Sequence, residues 1–180
     1  EDLAHLPEFP PDTIDFERAI PLKKSLLLKA CDRFKREASP EQQEEFEQFC
    51  QRHAYWLDDY ALFMALHNTF DDVSWHLWEP DIAKAEPQAV NEWRERLRDR
   101  IYYHKYLQFE FFRQWSWLKQ YANDRNIQII GDIPIYVAHN SADVWSNREL
   151  FAVDEKTGEP SLMAGVPPDY FSETGQLWGN

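Results

Sequence analysis

The chain has 180 residues, 43% of them apolar and 16% aromatic, and carries a formal net charge of −13. Such a length and apolar share suit one ordinary domain with a real core and exclude a disordered chain. The acidic balance, with a pI near 4.8, excludes nucleic acid, which demands a basic footprint, and disfavours an anionic membrane surface; a neutral ligand is indifferent to it.

Eight Trp, eight Tyr and twelve Phe are many for this size. Either the core is built from large rings, or some rings line a surface for a flat ligand such as a sugar. Cys31 and Cys50 lack metal spacing and read as reduced core thiols, which points to the cytoplasm, or to a plastid in a plant. The six histidines show no ligand spacing either. No signal peptide and no bilayer-length apolar run are visible. The chain starts without Met and stops inside an aromatic and glycine segment, as a piece of something longer would. Nothing in it sets an oligomeric state.

Residues 1–14, with Pro7, Pro10 and Pro11, read as an extended connector. Leu27, Ala30, Cys31 and Phe34 recur at helical spacing and predict a helix from Leu22 to Phe34. Ser39-Pro40-Glu41-Gln42 carries a start signal: a Ser N-cap, Pro at the first position and Gln to complete a capping box. That second helix is expected to reach about His53, with Phe46 and Phe49 facing inward. Asp58 and Asp59 are expected to cap a third, buried helix through Ala61–Leu66. Their alternative use as an acid/base pair is disfavoured, because neighbouring residues on a helix point apart. Asp71 to Asp81 reads as a loop in which Trp75 and Trp78, around His76, form either a sugar platform or buried anchors. From Pro87 to Asn123 an apolar stripe through Trp93, Leu97, Ile101, His104, Phe111 and Trp115 predicts one long helix, or two nearly collinear ones. The charged run 94–100 is its solvated face, and His104 reads as a hydrogen-bonded core residue.

Ile127, Ile129 and Ile130 form a β-branched run that predicts a strand buried on both faces in a parallel sheet. Gly131 then lets the backbone turn, and Asp132 is the first charge beyond the strand, where α/β folds place ligand chemistry. Capping the next turn is the other use of Asp132. Ser141 is expected to cap a short helix through Trp145. Leu150–Val153 and Ser161–Ala164 flank Gly158 as a β-hairpin would. Residues 164–178 have no periodicity and the composition of a functional loop. Asp132, Asp169 and Gln176 supply hydrogen-bonding groups, and Tyr170, Phe171 and Trp178 supply rings, which together make a sugar-binding kit. Protein–protein interfaces favour the same rings. Phosphate loops, zinc patterns, nucleophile elbows and dinucleotide fingerprints are absent.

IIGDIPIYV at 129–137, SADVW at 141–145 and AGVPPDYFSETGQLWGN at 164–180 resemble the signature blocks of the amylomaltase, or disproportionating-enzyme, family of 4-α-glucanotransferases (glycoside hydrolase family 77). WLDDYALFMAL at 56–66 and FFRQWSWLKQYA at 111–122 resemble it in the same order, and DFERAIPLKKSLLLKA at 15–30 does so more loosely. The resemblance implies an α/β fold, part of a (β/α)₈ TIM barrel with large helical insertions. Residues 1–125 would be the mainly helical subdomain, and 126–180 a barrel strand, hairpin and active-site loop. It also implies retaining transfer of α-1,4-glucan units between oligosaccharides, without cofactor or metal. By resemblance Asp132 holds the donor glucose, Tyr170 and Phe171 form the tip of a mobile loop, and Asp169, Gln176 and Trp178 contact sugar. The family's nucleophile and acid/base carboxylates are expected beyond residue 180, so this chain alone is expected to be inactive. A glucan hydrolase and a non-catalytic aromatic-rich carbohydrate-binding module are the alternatives.

Overall fold

The computed structural model describes residues 6–179. Residues 6–15 have no regular structure, as the prolines require, and the first five residues of the expected connector lie outside the described range. Helix α1 (Phe16–Glu37) starts earlier than Leu22 because Asp15 caps it, its carboxylate accepting from the Arg18 N–H at 3.1 Å. Pro21 lies inside this helix and leaves the Glu17 carbonyl without its usual backbone donor.

Helix α2 (Pro40–Thr69) opens on the expected capping box. The Gln42 N–H donates to Ser39 Oγ at 3.3 Å, and the Ser39 N–H donates to the Gln42 side chain at 2.9 Å. The predicted break near His53 does not exist: 30 residues run as one helix. Asp58 and Asp59 are therefore mid-helix rather than caps. Lys105 pairs with Asp58, and Arg94 donates to Asp59 at 3.2 Å, so cations from the neighbouring helices replace the capping role assigned to these acids.

Trp75–Leu77 forms a single 3₁₀ turn, followed by the one-turn α3 (Pro80–Ala83). The long periodic segment splits into α4 (Pro87–Arg96) and α5 (Arg98–Asn123). Leu97 makes the break with φ −108° and ψ 15° while staying buried, so the apolar stripe continues across it.

Large rings do build the core. One cluster joins α1, α2 and α5 through Cys31, Phe46, Phe49, Leu57, Tyr106 and Phe109, with Phe46 and Phe109 edge to face at 5.5 Å. The other joins α2 to Trp75, Trp78, Ile82 and Trp93, and takes in Val144 and Trp145 from α6 (Ala142–Ser146). The two tryptophans of the 71–81 loop are thus buried anchors, not a sugar platform. Both cysteines are free thiols, Cys31 buried and Cys50 half-buried. His104 is buried beside the Asn68 amide, 3.2 Å from Nε2, as a core histidine should be.

The β-elements depart from expectation. Residues 127–135 form no strand. A strand is a hydrogen-bonded pair, and no described segment pairs with this one, so Ile130 is 91% and Ile133 and Ile135 each 80% exposed. The 150–164 hairpin reduces to a single bridge between Val153 and Pro160. Its two ladder bonds run from the Asp154 N–H to the Glu159 carbonyl and from the Ser161 N–H to the Ala152 carbonyl, flanking the pair in which Pro160 sits, where no N–H is needed. The aperiodic 164–178 segment instead contains two short antiparallel strands, β1 (Ala164–Val166) and β2 (Gln176–Gly179). No described helix is long and apolar enough to cross a membrane.

Candidate functional site

The β1–β2 pair is the base of the segment that carries most of the expected sugar-contacting residues. Gly165 faces Leu177 and Ala164 faces Gly179, so Trp178 is the extra residue of a bulge. A bulge re-aims the side chain it carries. Trp178 lies 6.0 Å from the Tyr136 ring, nearly edge to face. This contact brings the 129–137 block to the 164–178 block, and sequence reasoning missed it. The available signal was that Tyr136 is the aromatic residue of the block that carries Asp132. Gln176 accepts a hydrogen bond from the Trp178 indole N–H at 2.8 Å, so these two expected contacts are already paired.

The tip is built on Asp169. One of its carboxylate oxygens accepts from the N–H groups of Phe171 and Ser172, each at 2.9 Å, and its own N–H donates to the Ser172 carbonyl. Ser172 Oγ closes the far side by donating to the Gly175 carbonyl at 2.7 Å. Gly175 holds φ +75°, and a Cβ there would stand 2.5 Å from the Val166 carbonyl oxygen. A Gly is needed at this point. The pinned turn lifts Tyr170 and Phe171 into solvent, 95% and 87% exposed, with ring centroids 5.4 Å apart at right angles. Asp132 is exposed, and its carboxylate accepts from the N–H of the adjacent Ile133 at 2.8 Å. The structure thus gathers Asp169, Tyr170, Phe171, Gln176 and Trp178 on one loop, and reaches the Asp132 block through Tyr136.

Behind the site, the 138–158 region is fastened to the helices. The Trp75 indole N–H donates to the His139 carbonyl at 2.7 Å, and the Trp145 indole donates to the Ile82 carbonyl at 2.8 Å. Ser141 caps α6 as expected, accepting from the Val144 N–H. His139 Nε2 lies 2.7 Å from the Gly158 carbonyl, which makes it a donor. The His76 ring lies 5.2 Å from that of His139, tilted by 56°, and packs against Gly158. Burial, then the neighbouring His139, pull the His76 pKa down from its ordinary value, with Glu159 opposing. Asp154 ties the adjacent turn through the N–H groups of Lys156 and Thr157, and these bonds lower its pKa. Among the described residues, no group of three or more His, Cys, Asp or Glu is placed to hold a metal ion.

A sequence profile of the family described as 4-alpha-glucanotransferase matches residues 1–180. This chain belongs to the 4-alpha-glucanotransferase family. It is 50% identical to the 4-alpha-glucanotransferase of Synechocystis sp. over 99% of its own length and 35% of that protein's. With the 4-alpha-glucanotransferase of Thermus thermophilus the identity is 46%, over 97% of this chain and 35% of the relative. The amylomaltase from Streptococcus agalactiae, solved in complex with acarbose, superposes with a TM-score of 0.86 at 37% identity, over 96% of this chain and 34% of that one. The chain therefore spans about a third of the length of the curated 4-alpha-glucanotransferases it matches. Its fold is mostly helical and matches an amylomaltase.

Proposed function

We propose that the full-length protein carrying this chain is a 4-α-glucanotransferase that moves α-1,4-glucan units between oligosaccharides by retaining double displacement. A carboxylate outside residues 1–180 attacks the anomeric carbon while a second protonates the leaving oxygen, and a sugar acceptor then displaces the enzyme. In this reading the chain contributes the helical layer (1–125) and the active-site loop segment (126–180), whose 127–130 run would become a barrel strand only by pairing with parts of the protein outside residues 1–180. That boundary divides roles rather than cores, because Val144 and Trp145 pack with the helices. The observation that carries the reading is the pair Tyr170 and Phe171, two large rings almost wholly in water on a turn whose every bend is pinned. Rings held out in this way suit stacking on a sugar. In this reading Asp169, Gln176 and Trp178 are the adjacent sugar contacts, and Asp132 holds the donor glucose. No cofactor enters the reaction, and the protein works in the cytoplasm, or in a plastid.

Incubating the full-length protein with maltotriose tests this. Glucose together with longer oligosaccharides is the expected product pattern. Uniform shortening to glucose and maltose alone would establish a hydrolase instead. Asp132→Asn, which keeps shape and removes charge, is expected to lower turnover much more than oligosaccharide affinity.

A further inference from the structure

The last turn of α2 and the residues leading into α6 are joined by a hydrogen-bond chain that the proposed chemistry does not use. Helix α2 ends with the Asp72 N–H donating back to the His67 carbonyl at 2.9 Å. Asp71 and Asp72 both hold positive φ, 52° and 60°. Non-glycine residues adopt this conformation at a cost, and Asp is among those that tolerate it. The turn folds the Asp72 carboxylate onto its own helix, 2.9 Å from His67 Nδ1. On the other side of the ring, Asn140 Nδ2 lies 3.1 Å from His67 Nε2. The Asn140 side-chain oxygen accepts from the backbone N–H of Trp75 at 3.3 Å.

The direction of every bond in this chain is determined. Trp75 is buried, so its backbone N–H needs an acceptor, and Asn140 must turn its oxygen toward it. The Asn140 NH₂ then faces His67 and needs a lone pair on Nε2. The His67 proton therefore sits on Nδ1, where the carboxylate of Asp72 accepts it. Phe63 stacks on the same imidazole at 5.7 Å and holds the plane of the ring. Asn140 is next to His139, whose carbonyl receives the Trp75 indole N–H, and four residues beyond Tyr136, which touches Trp178.

We infer that Asp72, His67 and Asn140 form a positioning clamp that, with Trp75, fixes the carboxyl end of the 132–140 segment and so orders the sugar-contacting region before ligand arrives. The benefit to binding rests on the proposed sugar role of that segment; the clamp itself does not. An ordered segment imposes no folding cost on binding, whereas one that is competent a tenth of the time weakens apparent affinity about tenfold. Ground and transition states lose that affinity alike, so KM rises while kcat holds.

The test uses the full-length protein and three variants. In the unaltered protein, the histidine ¹⁵N spectrum is expected to show His67 as the Nδ1–H tautomer. His67→Phe keeps the stack on Phe63 and removes both bonds. Faster amide exchange across 138–145 is expected, with KM for maltotriose up about tenfold and kcat within twofold. Asp72→Gly, which suits the positive φ and deletes the acceptor while also freeing the turn backbone, is expected to act in the same direction should His67→Phe fold poorly. Asn140→Asp keeps the acceptor for the Trp75 N–H but removes the donor to His67 Nε2, and is expected to act in the same direction. An Nε2–H tautomer in the unaltered protein, or unchanged exchange in both His67→Phe and Asp72→Gly, would overturn the clamp. Faster exchange with unchanged KM would uphold the clamp and overturn the sugar role of the segment.

Discussion

His104 shows how one buried side chain makes a fold respond to pH. Burial, its main cause, and then the Arg100 charge push its pKa from 6.5 down to about 4. The folded ring thus resists protonation that the unfolded chain accepts. Between those two values the unfolded state binds more protons, so stability rises with pH across this window. The contribution is fully present above about 6.5 and disappears as pH falls toward 4. Its size is bounded at about 3 kcal/mol by the cost per pKa unit. Replacing His104 by Gln removes the titration and is expected to flatten the pH dependence of the urea midpoint between pH 6.5 and 4. An equally steep variant would assign that dependence to other groups. The burial of His104 was legible because it lies on a continuous apolar stripe. The partnership of Asp58 with Lys105 and of Asp59 with Arg94 was not, since each pair joins residues from different helices. Local rules therefore turned both acids into caps.

Helix ends and helix faces were the most legible elements, because a cap or a period acts within a few residues. Ser39 with Gln42 formed the expected box, and the Pro87–Asn123 stripe took its two-helix form, though no glycine or proline announced the break at Leu97. Strands were least legible, since pairing is decided by segments distant in sequence. The Ile127 run had the right residues and found no partner, while the aperiodic 164–178 segment paired with itself. Two substitutions separate these elements energetically. Ser39→Ala unmakes a cap on the helix that joins both hydrophobic clusters, and is expected to lower global stability by about 1 kcal/mol. Gly175→Ala forces a Cβ against the Val166 carbonyl at positive φ, with a local strain of about 1–3 kcal/mol. None of residues 164–179 belongs to either cluster. The Gly175→Ala variant should therefore exchange amides faster across 176–179 while keeping the thermal midpoint of the helical core. A midpoint lowered as far as in Ser39→Ala would mean that the β1–β2 pair is coupled to the core after all.

At the scale of the whole molecule, apolar surface divides into two kinds. Ile130, Ile133 and Ile135 are exposed along an irregular segment that forms no ladder with any described strand. Tyr170 and Phe171 are exposed for a different reason: Asp169, Ser172 and Gly175 satisfy the surrounding backbone and leave the rings nothing to do locally. If those rings stack the incoming acceptor sugar, they also exclude water from the covalent intermediate, and the two effects favour transfer over hydrolysis together. Replacing both by Ala in the full-length protein should then weaken acceptor binding by about 1–3 kcal/mol per lost stack, taking base–aromatic stacking as the guide. The intermediate would partition more often to water. The ratio of new reducing ends to transferred glucose, measured with maltotriose, reads that partition directly and does not depend on enzyme concentration. A raised ratio is the expected result. A slower enzyme with an unchanged ratio would place the rings on the donor side or in packing against another part of the protein, and would remove the acceptor role from Tyr170 and Phe171.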